Sequence, residues 1–95
     1  MPGHIAKLTK TDPSTEFYED DQFKQYLIEN YILDGKLIVN VDISPDGLEK
    51  TIYMEFLDAD AFRLWANDLV VTENKIKQGN WNLEHGIKVE VTPVK

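Results

Sequence analysis

The chain has no cysteine, only two histidines, and no apolar run approaching the roughly 20 residues that span a bilayer. Without cysteine there is no disulfide framework, no thiol chemistry and no zinc site of the cysteine type, which suits a reducing compartment. The first residues carry no signal-peptide pattern, so the expected location is the cytoplasm. No Gly-rich phosphate loop, HExxH, EF-hand loop or GxSxG elbow occurs. Basic residues are few as well: ten Lys and Arg against seventeen Asp and Glu leave a net charge of −7. That balance disfavours phosphate backbones and anionic membranes, so neither nucleic acid nor a membrane is an expected partner. The basic residues are interspersed among the acids, as on a solvated surface.

What the chain does have is material for one core. Hydrophobic residues make up 42% of 95 positions, with four Tyr, four Phe and two Trp. This predicts a single α+β domain over residues 1–95, with no repeat and no linker. The clearest pattern runs from Lys36 to Leu57. Leu37, Val39, Val41 and Ile43 recur at every second residue, as do Ile52, Met54 and Phe56. A period of two reads as strands with one buried face. Ser44-Pro45-Asp46-Gly47 between them is turn chemistry, so the segment reads as an antiparallel hairpin.

On either side the period changes. Phe23, Leu27 and Tyr31 recur every four residues beside Tyr26, predicting a helix from about Glu19 to Leu33. Glu19, Asp20 and Asp21 crowd its first turn and Gly35 can end it. After the hairpin, Asp58 is a good N-cap, with Phe62, Trp65 and Leu69 at helical spacing. Val70-Val71-Thr72 suggests a bend, with Thr72 capping a continuation to Leu83 and Gly86 as the stop. Ile87, Val89 and Val91 then alternate as a last strand with one buried face. His4 to Lys10 is a weaker candidate strand, and without it a three-stranded sheet remains.

Strand, helix, strand, strand, helix, strand is the order of the ferredoxin-like βαββαβ fold. There a four-stranded antiparallel sheet carries its helices on one face. The other face is expected to present Ile38 and Tyr53, with Leu57, among Asn40, Asp42, Thr51 and Glu55. A sheet covered on one side commonly pairs with a second copy about a two-fold axis, so a homodimer through this face is expected.

The residues point to no reaction, and no catalytic residue, metal ligand or cofactor is assigned. His85 has the chemistry of a general base, yet beside Gly86 it reads more simply as a helix C-terminal residue complementing the dipole. Glu16, Glu19, Asp20 and Asp21 lack the ligand spacing of a calcium loop. Asp58 and Asp60 are explained as helix-start residues. Trp65 falls on the apolar stripe with Phe62 and Leu69, hence in the core, with Asn67 close by in sequence. Trp81, between Asn80 and Asn82, reads as a lid over a core edge or as an interface contact.

Two resemblances add to this. Tyr31 to Lys36, Ser44 to Leu48, Phe56 to Trp65 and His85-Gly86-Ile87 together resemble a skeleton of turns, caps and aromatics in small uncharacterised proteins of tailed phages of marine bacteria. That resemblance implies an origin and a fold, with the host cytoplasm or the virion as location. Phe56-x-Asp58-x-x-Ala61-Phe62-x-x-Trp65 is similar to the strand-to-helix junction of dimeric α+β barrel proteins, including those like antibiotic-biosynthesis monooxygenases. Haem-degrading members carry a His further along this helix, and Ala66 to Gln78 contains none. Cofactor-free oxygenases of that fold use Asn and Trp, which Asn67 and Trp65 loosely imitate. The expectation is therefore a non-enzymatic homodimeric accessory protein. The alternative is a small-molecule-binding or cofactor-independent monooxygenase-like enzyme, with a pocket around Trp65, Asn67 and Tyr53.

Overall fold

Residues 37–56 form the predicted hairpin, and the turn between its strands is held by its own side chains. In the computed structural model, which describes residues 2–94, β2 is Leu37–Ile43 and β3 is Glu49–Phe56. The Gly47 amide donates to the Ser44 carbonyl at 2.9 Å, and the Leu48 amide donates to the Asp46 carboxylate at 3.0 Å. Gly47 has a φ of 73°, a conformation that costs a residue without a Cβ nothing. The weak N-terminal pattern is a strand after all: β1 spans Gly3–Thr9. It lies between β3 and β4 (Lys88–Val94), giving the antiparallel order β2-β3-β1-β4. With the helices packed on one face, this is the ferredoxin-like α+β fold.

The first helix departs from its expected form. α1 spans Asp21–Leu27 and passes into a π-helical segment, Ile28–Ile32. Asp20 caps it, accepting from the Phe23 amide at 3.1 Å. In a regular α-helix two residues five apart point about 140° apart. The wider turn brings Tyr26 and Tyr31 round to the same side. α2 spans Ala59–Ala66, capped by Asp58 as predicted, with the Ala61 amide donating at 2.8 Å.

The expected bend at Val70-Val71-Thr72 lies earlier. α2 ends at Asn67, and α3 runs Leu69–Glu84 with Asp68 as its cap, accepting from the Val70 amide at 2.8 Å. Thr72 is inside the first turn, its hydroxyl donating back to the Asp68 carbonyl at 3.0 Å. A carboxylate is the stronger cap, and it stands directly before the apolar run. Gly86, with a φ of 67°, stops α3 as expected.

The core gathers Tyr31, Leu37, Met54, Phe56, Ala61, Trp65 and Val71, with Phe23, Tyr26 and Leu27 packed against it. It is narrower than the alternation predicted. Leu37 is buried, but Val41 and Ile43 at the far end of β2 are more than half exposed, as is Val91 on β4, with Val89 close to half. The helices cover the central strands and one end of the sheet, while both edge strands run out beyond them. The alternation in β2 and β4 correctly assigns the helix-facing side. It cannot say how far the helices reach.

Candidate functional site

Strand register divides the open face of the sheet into two halves. Ile38, Glu55, Gly3 and Val94 form one row across the four strands, and Asn40, Tyr53, Ile5 and Thr92 form the next. These eight residues include a single formal charge, that of Glu55. Tyr53 donates its hydroxyl to that carboxylate, so even this charge is partly engaged. The hydrogen bond also raises the Tyr53 pKa above its usual value. The following rows are Asp42, Thr51, Lys7 and Glu90, then Glu49, Thr9 and Lys88. Charge dominates there, with Lys7 and Glu49 paired at 3.5 Å. Ile38 and Tyr53 therefore share the less polar half, as the alternation predicts. Ile5, on the central strand directly opposite Tyr53, belongs with them. It was legible only once β1 was known to be the centre of the sheet.

Trp65 stands on the other side. β3 alternates, so Tyr53 faces outward while Met54 and Phe56 face the helices. Tyr53, Trp65 and Asn67 consequently do not line one pocket. Asn67 is exposed, and its side-chain amide donates to the Arg63 carbonyl at 2.9 Å. Trp65 is only 6% exposed. Its ring lies 5.2 Å from Phe56, 6.3 Å from Phe62 and 5.6 Å from His4, and the Lys75 ammonium sits 4.1 Å from its centroid. Burial, and then the Lys75 charge, hold the His4 imidazole below its ordinary pKa. Three buried side-chain polar atoms have no partner among the described residues: Trp65 Nε1 in this cluster, and Asn74 Nδ2 and Asn82 Oδ1 on α3. The pairing of Trp65 with α3 residues was not legible in the sequence.

Trp81 closes a strap, the segment 11–20 between β1 and α1, rather than facing solvent alone. Its indole N–H donates to the Glu16 carbonyl at 2.9 Å, and Tyr18 meets its edge at 6.1 Å. His85 stacks on it at 3.9 Å, with Nδ1 2.8 Å from the Trp81 carbonyl oxygen. Under this strap the ammonium groups of Lys10 and Lys50 approach the Phe17 ring at 4.7 and 5.8 Å, and Lys50 pairs with Glu19 at 3.3 Å. Those contacts explain how two lysines come to be buried. Within the chain, Trp81 contacts Glu16, Tyr18 and His85. His85 is its stacking partner at the helix end. Among the described residues no three His, Asp or Glu side chains gather as metal ligands.

Asp68 is the residue that sequence reasoning missed. Its Oδ2 accepts from the hydroxyls of Tyr26 and Tyr31 at 2.6 and 2.7 Å while its Oδ1 caps α3. Burial pushes its carboxyl pKa upward, but the two hydroxyls and the Val70 and Val71 amides outweigh this and hold it below the usual value. Burial, then the bond to Asp68, raises Tyr31 well above a free phenol. Asp68 thereby ties the first helix to the junction of the other two. The available signal was an Asp immediately before an apolar run.

No family model and no curated protein sequence matches the chain. Its fold is similar to that of a solved structure from Deinococcus radiodurans, provisionally described as an antibiotic biosynthesis monooxygenase. The TM-score is 0.60 at 10% identity, over 100% of this chain and 91% of that one. The likeness covers the whole fold.

Proposed function

We propose that this protein acts by contact, as a homodimer joined through the less polar half of its open sheet face. The observation that carries the reading is the pair of adjacent rows with one charge among eight residues, on a face that no helix covers. A two-fold axis near Ile5 and Tyr53 would bury both copies' rows against each other and leave the charged rows at the rim, the arrangement that stable interfaces favour. The resemblance to phage proteins fits an accessory role in a host cell or a virion. No helix among the described residues is long and apolar enough to cross a membrane.

Light scattering across a concentration series tests the dimer. We expect twice the chain mass, and the monomer mass for Tyr53→Glu with the melting transition retained. A monomeric mass at every concentration removes the reading.

A second reading, a cofactor-independent oxygenase, is favoured by one observation. Trp65 Nε1, buried beside His4 and Lys75, has no hydrogen-bond partner among the described residues. The solved structure of similar fold, with its provisional monooxygenase description, lends it support. Against it, Trp65 is enclosed by packed rings. Two concavities, of about 560 and 370 Å³, are lined by none of Tyr53, Asn67 and His85. Substrate-dependent oxygen uptake, abolished by Trp65→Phe without loss of melting temperature, is the result that would carry this second reading over the first.

A further inference from the structure

Phe23, Leu27 and Tyr31, each four residues from the next, form a stripe suited to a regular α-helix. The structure departs from that pattern between Tyr26 and Tyr31. There the Leu33 amide donates to the Ile28 carbonyl, five residues back, at 2.9 Å. A single π turn is an α-helix with one extra residue wound into it, and such turns are rare. Something has to hold this one in place.

The C-terminal end of the helix does not give way. The Gly35 amide donates to the Ile32 carbonyl at 3.0 Å and the Lys36 amide to the Tyr31 carbonyl at 2.9 Å, with Gly35 at a φ of 71°. That pair of bonds is a Schellman cap, which fixes where the helix stops. Tyr31 itself is 2% exposed in the core. A change of register is therefore taken up on the α1 side. On that side Tyr26 reaches Asp68 Oδ2 at 2.6 Å, alongside Tyr31 at 2.7 Å. Two tyrosines five residues apart meet one carboxylate oxygen because the turn between them is wide.

α1 also continues directly from the strap. Asp20 caps its first turn, Glu19 pairs with Lys24 on it, and the Glu16 carbonyl accepts from the Trp81 indole. Strap residues 13–19 and Trp81, together with Lys10, line the concavity of about 560 Å³.

We propose that the first helix is a two-register switch, held in its π register by the Tyr26–Asp68 hydrogen bond and coupled through the strap to this concavity. Without that bond the extra residue unwinds. Each residue of α1 then takes the place of the one before it, about 100° round the axis, and Leu27 replaces Tyr26 against the core. Glu19 and Asp20 are carried along, which draws Glu16 away from Trp81. No residue of the open sheet face takes part, so the switch does not depend on the dimer proposed above.

The test measures scalar couplings across hydrogen bonds in the isotope-labelled full chain. The parent should show the Leu33 nitrogen coupled to the Ile28 carbonyl carbon. In Tyr26→Phe that coupling should be replaced by one to Glu29, and the Trp81 indole proton should shift. Deletion of Glu29, an exposed residue, is the complementary variant. It sets Tyr26 and Tyr31 four apart, so both hydroxyls reach Asp68 from a regular α-helix. The five-residue bond should then vanish while the melting temperature and the Trp81 signal hold. An Ile28 coupling that persists in Tyr26→Phe overturns the proposal. So does a change of register that leaves the Trp81 indole unmoved, or a Glu29 deletion that melts well below the parent.

Discussion

Helices α2 and α3 follow one another on the same side of one sheet, and they face it in opposite ways. α2 buries Ala61 and Trp65 and turns Asp60 and Arg63 outward, the ordinary amphipathic arrangement. α3 buries Val71 together with Asn74 and Asn82. It leaves Leu69, Ile76 and Leu83, spaced seven apart, 78%, 60% and 85% exposed. The first helix is held by hydrophobic burial. The second is held by Val71 in the core and otherwise by its ends and margins: the Asp68 cap, the Trp81 clamp on the strap, and Lys75 over Trp65. Apolar content alone therefore does not tell which side of a helix is inside.

The contrast is broken most severely at Trp65. Trp65→Ala should cost about 3–5 kcal/mol in denaturant unfolding. Leu83→Ala, at an exposed apolar residue of α3, should stay within about 0.5 kcal/mol. Equal losses at the two sites would mean that α3 faces the core differently. The joint between the helices comes next. Asp68→Ala removes a cap and strands the buried Tyr31 hydroxyl, for an expected loss of about 2 kcal/mol. Asp68→Asn, which keeps an acceptor, should lose less. If both variants melt with the parent, the carboxylate is not what joins the helices.

A gain of stability is expected at Asn74. Replacing a buried amide that has an unpaired N–H by leucine should stabilise the chain by about 1 kcal/mol. Destabilisation by Asn74→Leu would show that the amide has a partner in solution. The smallest effect concerns His4. Its folded pKa lies below the ordinary 6.5, so below that pH the unfolded chain takes up a proton that the folded chain resists. Stability should fall as the pH is lowered through 6.5 toward the folded value. His4→Gln should flatten that part of the profile, and an unchanged slope would assign it to another group.

Much of this fold was legible because its determinants are local. The turn at Ser44–Gly47, the Asp58 cap and the Gly86 stop each act within a few residues, and their chemistry is written beside them. The same holds for the alternation in β2 and β3, which places Ile38 and Tyr53 together without any knowledge of the other strands. Asp68 carried a readable cap signal, but its two tyrosine partners lie 42 and 37 residues away. The burial of Asn74 and Asn82 left no mark in the sequence, because burial depends on what lies across the gap.

By itself, then, the sequence determined the hairpin, the Asp58 cap, the Gly86 stop and the two-sided character of the sheet, all set by steric and hydrogen-bonding preferences of neighbouring residues. Tertiary structure alone decided that β1 is central, that Ile5 joins Tyr53, and that Trp81 clamps the strap. It also decided that the helices stop short of both sheet edges. Those outcomes depend on contacts between residues far apart in the chain, formed when the layers close on one another, and no local preference encodes where a helix's cover ends.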